Sequence, residues 1–540
     1  MDLQKAYDTL EWRALEDIMK EMSFPIKFIN WIMICITSVS YKYSINGQHS
    51  KYLASKRGLR QGDPISPLLF VLVMEYMHRC MRKLQTRPDF KFHPKCAKLS
   101  LTNICFADDL ILFARGDKRS VAAMMEVFQK FSDSTGLKAN PAKCKVYTGG
   151  IDDNAKQELL QITGFQSGEL PFKYLGVPLS CRKLSIQQCL PLIDRIVGKI
   201  KHWTTKILSY AGRKQLIRSV LFAVTSYWMQ VFPLPKSVLK HIEAICRSYL
   251  WSNTEEITRR APIAWDNVYN PVRAGGLSIT SLREWNIATI GKLLWNLQSK
   301  ADKLWVRWVN TYFLKEQDVM VWQPSSTASW LLRSIVNTRD ECRVHTQNNL
   351  AWEKAELTKV FNTAANYRII CGDSVMVPWK HIFYQNRASP RAKFTLWLAM
   401  LGGLSTKDRM ERFRMIHEKQ CCFCLQQETL SHLYFDCAFT GTIWERMLAW
   451  NGYFRKGMTW DSEKDWLIEE LSKKGWRREI LRITLAETVY HIWQERNGMI
   501  FKHTNPSLDV IRKIKDKVIG RSSLSSKLKV HVNASNDSLS

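Results

Sequence analysis

The spacing of apolar and polar positions divides the chain into a first third of mixed periodicity and a remainder that is almost wholly helical. Leu3, Ala6 and Tyr7 are followed by Trp12, Leu15 and Ile18 at helical spacing, which predicts a strand end at Asp2 turning into a helix. Phe24 to Val39 reads as a mostly buried helix. Tyr41 to Leu53 alternates and carries Asn46-Gly47, a hairpin signal. Gly58 and Gly62 allow close backbone approach, Pro64 and Ser66-Pro67 set a helix start, and Leu68 to Met81 predicts a buried helix. Between Leu101 and Ala114 two apolar, strand-like runs flank Asp108 and Asp109, which predicts strand–turn–strand with the acids at the turn. Ser120 to Ser134 is an amphipathic helix ending at Gly136. From Leu190 to Leu250 the pattern is helical. Asn253 to Leu277, with Pro262, Pro271 and Gly275-Gly276, predicts a boundary loop. A Trp-rich helical segment follows from Leu282 to Phe313, its Trp295, Trp305 and Trp308 read as core. There is no internal repeat, and the low-complexity tract is the Ser-rich tail from Ser522.

Composition adds a partner class to this picture. With 79 Lys and Arg against 49 acids the net charge is +30, which suggests a polyanion, most simply nucleic acid; a basic but unengaged surface would look the same. In the helical run after residue 190, Arg195, Lys199, Lys201, Lys206, Arg213, Lys214 and Arg218 are interleaved with Trp203, Tyr210, Tyr227 and Trp228. The apolar stretches are too short and too interrupted to span a bilayer. No secretory signal opens the sequence, so an intracellular protein, nuclear or cytoplasmic, is expected. Fourteen cysteines in such a chain read as thiols plus a metal site.

The acidic pair alone is as readily solvated punctuation in a turn. Its company is more specific: D-L-Q-K-A-Y-D (Asp2 to Asp8), R-G-L-R-Q-G-D-P-I-S-P-L-L-F (Arg57 to Phe70), T-G-L-K-A-N-P-A-K-C-K (Thr135 to Lys145) and Y-L-G-V-P-L (Tyr174 to Leu179). In this order and spacing the set resembles the palm of a reverse transcriptase of the LINE-type (non-LTR) retroelement class. The resemblance implies an α+β fold: an antiparallel palm sheet with helices, then a helical thumb. It implies that Asp2, Asp108 and Asp109 hold two catalytic Mg²⁺ ions. Like charges about 4 Å apart repel by about 4 kcal/mol at an effective dielectric near 20, so converging carboxylates require cations. It further implies that Tyr7 packs under the incoming sugar, that Arg60, Gln61 and Gly62 touch nucleotide and template, and that Lys143 can protonate pyrophosphate. A glycine loop capping a helix, and a solvated lysine, explain the last two sets equally. Tyr174 to Leu179 is similar to the hairpin that grips the primer end. The implied partners are an RNA template, a DNA primer or target DNA, and deoxynucleotide triphosphates, with no membrane.

Cys421-x2-Cys424-x7-His432-x4-Cys437 supplies three thiols and one imidazole, a set suited to one closed, structural Zn²⁺ site. Cys422 could replace Cys421, and four core thiols without metal is the alternative. The surrounding stretches, S-P-R-A-K-F-T-L-W-L-A (Ser389 to Ala399), L-S-T-K-D-R-M (Leu404 to Met410) and H-L-Y-F-D-C (His432 to Cys437), resemble the zinc-binding domain that follows LINE-type reverse transcriptases, notably in plants. Glu479 to Phe501, ending I-W-Q-E-R-N, resembles the helix after it.

The expected domains are a palm (1–180), a helical thumb (181–260), a mostly helical connector (261–374), a small zinc-binding domain (375–450) and a C-terminal helical segment with its tail (451–540). Family members carry a fingers subdomain before the first palm Asp, so the resemblance implies an N-terminally truncated product whose polymerase activity is impaired; no ribonuclease H is expected after Phe501. The rival readings are a non-catalytic nucleic-acid-binding remnant of such an element and an intron maturase, against which the zinc module speaks.

Overall fold

The computed structural model describes residues 1–529 apart from 181, 207, 259–260, 327, 346–354, 356, 384 and 415–417. The chain divides into two compact units: Met1–Cys181 with Lys300–Trp322, and Arg182–Ser299 with Gln323–Ser540.

The first unit mixes helices with small sheets. Helices Trp12–Glu21, Ile26–Thr37, Ser66–Arg82 and Lys118–Thr135 enclose a core that includes Leu15, Met19, Phe70, Val73, Met77 and Phe131. Pro67 lies in the first turn of Ser66–Arg82, where its missing N–H costs nothing. Asp117 caps Lys118–Thr135 by accepting the Ser120 N–H, and Gly136, at φ 76°, ends it. The Asn46-Gly47 hairpin forms as expected, Ser44–Ile45 pairing with Gln48–His49. Two expectations need correction. Ile26–Thr37 is not mostly buried: Ile29, Ile32 and Ile36 face the core, while Trp31 and Ile34 are each 64% exposed. One apolar stripe meets the neighbouring helix, and the opposite face has no covering element among the described residues. The strands, moreover, are short pairs, and Lys145–Val146 runs parallel to Gln166–Ser167. The helix Asp153–Thr163 between them supplies the crossover that a parallel pair requires.

Residues 300–322 fold onto this first unit. Trp308 donates its indole N–H to the Lys95 carbonyl at 2.7 Å, and the Tyr312 hydroxyl accepts the Lys98 N–H at 2.8 Å.

The second unit is helical. Ser185 and Gln188 form a capping box at the start of Ile186–Thr204, and Tyr210–Leu216, Phe222–Met229 and Lys236–Ser252 follow. Residues 253–277 are not a free loop. They carry the short helix Trp265–Tyr269, bury Val268 and Leu277, and take the Trp397 indole N–H on the Gly275 carbonyl. The 27-residue helix Trp476–Lys502 packs against Pro390–Met400, Ala438–Trp450 and Asp509–Ser522. Its Arg496 is buried and pairs with the fully buried Glu428 at 2.8 Å; Glu428 also accepts the Lys407 N–H at 2.8 Å. One carboxylate thus ties the cysteine hairpin to the L-S-T-K-D-R-M loop and to the I-W-Q-E-R-N helix. Removing one partner of a buried ion pair leaves the other charge stranded. Glu428→Gln is therefore expected to destabilise this unit by about 3–5 kcal/mol, read from urea unfolding.

Candidate active site and metal centre

The acidic hairpin is built as the sequence predicts, with one refinement. Asn103–Phe106 pairs antiparallel with Asp109–Leu112, and Phe106 faces Asp109 across a two-residue turn of Ala107 and Asp108. Asp108 is therefore at the exposed tip, while Asp109 opens the second strand and is half-buried. Asp2 forms an antiparallel bridge with Asp109, and the Leu3 N–H donates to the Asp108 carbonyl at 3.3 Å. The other edge of the Asp2 segment is held by residues 138–144. Leu3 bridges Ala139, Asn140 donates its N–H to the Asp2 carbonyl at 2.9 Å, and the Asp2 N–H donates to the Cys144 thiol at 3.4 Å. Lys143 is 3.3 Å from the Asp2 carboxylate, with most of its side chain in solvent.

The three acids are thus neighbours in backbone, contributed by two segments remote in sequence. Their carboxylates repel. The Asp109 carboxyl is pushed above the usual carboxylate range, first by burial, then by Asp108 and Asp2. Tyr174, from the hairpin Phe172–Tyr174 with Val177–Leu179, is also pushed up, mainly by burial and then by the Asp109 charge. That proximity is a feature the sequence motif did not specify. An all-carboxylate set fits a hard divalent cation such as Mg²⁺, with Asp2, Asp108 and Asp109 as the residues that would hold it.

The glycine-rich stretch is fastened to the same segment. Gly58 donates its N–H to the Leu10 carbonyl at 2.8 Å, and the Trp12 indole N–H donates to the Gly58 carbonyl at 2.7 Å. A Cβ at Gly58 would sit 2.7 Å from the Asp8 carbonyl oxygen, at φ +87°. Tyr7 stacks on Phe70 at 4.9 Å between ring centroids, and Gln61 reaches the Asp8 carboxylate at 3.3 Å. Arg60, Gln61 and Gly62 are exposed, and the Arg60 carbonyl accepts the Ser66 hydroxyl at 2.8 Å. Gly58→Ala combines a disfavoured φ with overlap against immobile backbone, an expected cost of about 2–5 kcal/mol. Gly62, at φ +90° but in open space, bears only the backbone part, so Gly62→Ala should cost less in the same urea titration.

In the second unit the ligand atoms of Cys421, Cys424, His432 and Cys437 lie within 4.8 Å of one another; among the described residues no other cluster converges this closely. The Cys424 sulfur is 2.9 Å from His432 Nε2. Cys422 lies outside the set, so Cys421 is the member at that end. Backbone builds the rest. Gln420 bridges Gln427 to make a tight hairpin, the Phe423 N–H donates to the Cys421 sulfur at 3.5 Å, and the Cys437 N–H donates to the His432 carbonyl at 2.9 Å. Burial pushes the Cys424 thiol up, and the neighbouring Cys421 thiol together with burial pushes Cys437 up, so without a cation these sulfurs favour their protons. N–H donors aimed at sulfur stabilise thiolates, and three thiolates with one imidazole fit Zn²⁺ with no position left open. The sequence did not reveal Glu428, whose only signal was an acid inside a cysteine cluster.

The first unit thus brings a bridged acidic hairpin beside a glycine-rich turn, and the second unit carries a separate Cys₃His knuckle. Comparison with known proteins agrees. Residues 1–179 match the family described as reverse transcriptase (RNA-dependent DNA polymerase), and residues 361–444 match zinc-binding in reverse transcriptase. The chain is 29% identical over 296 residues to the retrovirus-related Pol polyprotein from the type-2 retrotransposable element R2DM of Drosophila melanogaster, covering 52% of this chain and 26% of that one. A putative ribonuclease H protein of Arabidopsis thaliana is 22% identical over 417 residues, 60% of this chain and 66% of that one. A type-1 R2 element polyprotein of Popillia japonica is 28% identical over 314 residues, 56% and 49% respectively. The chain thus carries a reverse-transcriptase domain and its zinc-binding companion, and its relatives include non-LTR, R2/LINE-type retroelement polyproteins and a plant ribonuclease-H-like protein, consistent with the motifs. It spans only part of each relative's length.

Proposed function

We propose that the chain is the polymerase portion of a LINE-type retroelement protein, an RNA-directed DNA polymerase. The observation that carries this reading is the bridge between Asp2 and Asp109 beside Asp108, which brings three carboxylates to one edge of the first unit. Two Mg²⁺ ions held there would activate the primer 3′-hydroxyl and stabilise the leaving pyrophosphate. The chain's own residues orient and shield. Tyr7, backed by Phe70, would meet the sugar of the incoming nucleotide, and Gln61 and Gly62 would line its approach. Lys143, 3.3 Å from the Asp2 carboxylate, would hold a proton near the leaving group. Tyr174 would border the primer end. In the second unit the zinc module and the basic helices from residue 186 to 252, the thumb of this reading, would hold template and primer by phosphate contacts. No helix among the described residues is long and apolar enough to cross a membrane.

The test is primer extension on an RNA template with Mg²⁺ and deoxynucleotide triphosphates. Extension that requires Asp108 and Asp109 supports the reading. Salt-sensitive binding of nucleic acid without extension would instead support the non-catalytic alternative, which the net charge of +30 also favours.

A further inference from the structure

Two sheltered cations of the second unit are ion-paired, Arg496 with Glu428 at 2.8 Å and Arg455 with the fully buried Glu463 at 2.7 Å. A further group of cations is not. Tyr210 stacks on Phe394 at 5.2 Å between centroids, which brings the helix Tyr210–Leu216 against Pro390–Met400. Lys214 lies one turn beyond Tyr210 on the first of these helices, and Lys393 is the neighbour of Phe394 on the second. Arg218 follows one turn further on. Lys393 donates to the Asn386 carbonyl at 3.3 Å, and Arg521 donates to the Arg387 carbonyl at 2.7 Å. Asn386 and Arg387 also line a polar cavity of about 510 Å³ with Gln385, Glu479, Ser525 and Lys527. Its one lining carboxylate, Glu479, is engaged by Lys527 at 3.4 Å.

Lys214, Arg218, Lys393 and Arg521 make no ion pair among the described residues. Lys214 is pushed down to about 8, first by burial, then by the charges of Arg218 and Lys393. Lys393 is pushed down by burial and then by Arg521. Lys214, Lys393 and Arg521 are half-buried and Arg218 is exposed beside them; half-buried cations without a carboxylate partner are an electrostatic cost, and a bound anion would relieve it. A cluster spread over three helices suits a chain of phosphates better than a single small anion.

We propose that Lys214, Arg218, Lys393 and Arg521, continuing into the cavity at Arg387 and Lys527, form a cradle for the phosphodiester backbone of a nucleic acid. This deepens the functional reading above and rests on its claim that the chain engages nucleic acid, but not on catalysis. The cradle reads no base, so it accepts any sequence.

The experiment is fluorescence anisotropy of the full chain with labelled single-stranded RNA, and separately with duplex DNA, across a salt series. In the double variant Lys214→Gln with Lys393→Gln, the slope of log affinity against log salt becomes shallower by about two, about one per lost phosphate contact. The weakening is the same for unrelated sequences, Lys393→Arg retains the slope, and Asp108→Asn leaves it unchanged. The substrate that shows the change, RNA or DNA, identifies the strand held. If the double variant loses its circular-dichroism signature, Arg521→Gln with Lys527→Gln carries the same test at less buried positions. A folded variant with an unaltered slope overturns the cradle while leaving the polymerase reading intact. Failure of the unmodified chain to bind either nucleic acid overturns both. Inorganic phosphate that saturates the site at low concentration, with the nucleic-acid slope unaltered in the variant, assigns it to a small anion instead.

Discussion

Replacing Cys437 with serine is expected to abolish zinc binding and to unfold the cysteine hairpin together with the start of the helix Ala438–Trp450. Cys437 is both a member of the four-atom set and the residue preceding that helix, and its N–H donates to the His432 carbonyl at 2.9 Å. Structural zinc supplies on the order of 10–16 kcal/mol in small zinc peptides, as much as or more than the roughly 5–15 kcal/mol that holds a whole domain folded. Loss of the metal is therefore a loss of local fold, not a softening. Metal content by plasma emission should fall from one zinc per chain to none, and near-ultraviolet circular dichroism should lose the signal of the buried Tyr434, Trp444 and Trp460 beside the site. Strong chelators should reproduce both effects. Cys422→Ser should leave them unchanged, because its sulfur lies outside the set; zinc lost in Cys422→Ser and kept in Cys421→Ser would reverse that assignment. Since zinc competes with protons for thiolate and imidazole, retention should weaken as pH falls.

Asp108→Asn should lower primer extension by about 10³-fold or more, the several kcal/mol that a metal-holding carboxylate contributes to transition-state charge. The fold should survive, because Asp108 is an exposed turn residue whose carbonyl, not its side chain, accepts the Leu3 N–H. A further consequence separates this site from a decorative acidic turn. The Asp109 carboxyl is raised by burial and then by Asp108 and Asp2. A raised carboxyl is less ionised at a given pH, so Mg²⁺ affinity should increase as pH rises through its titration. Removing the Asp108 charge removes one cause, so Asp109 should titrate lower in Asp108→Asn, which carbon-detected NMR of labelled Asp can read. An unchanged Asp109 titration would mean that the two carboxylates do not share a site.

The local elements were legible because their causes are local. Asn46-Gly47 dictates a tight turn, Asp117 and Gly136 bound a helix, and the alternation around Asp108 and Asp109 produces a hairpin. The cysteine and histidine spacing was legible for the same reason, since a metal site needs a fixed donor chemistry within a short stretch. The exposure of Trp31 and Ile34 was not legible. Apolar spacing shows which residues could be buried, and only the number of neighbouring elements decides how many of a helix's faces are covered.

The sequence by itself determined the donor types: three acids, three thiols and an imidazole, a glycine at residue 58 and a surplus of cations. Residue chemistry does not depend on the path of the chain. The tertiary structure alone decided which donors meet. It placed Asp2 between Asp109 and residues 138–144, chose Cys421 over Cys422, joined Glu428 to Arg496, and packed Tyr210 on Phe394. Each of these is a contact between residues remote in sequence or a choice between adjacent ones. Such contacts follow from packing and desolvation summed over whole elements, which no short stretch of sequence encodes.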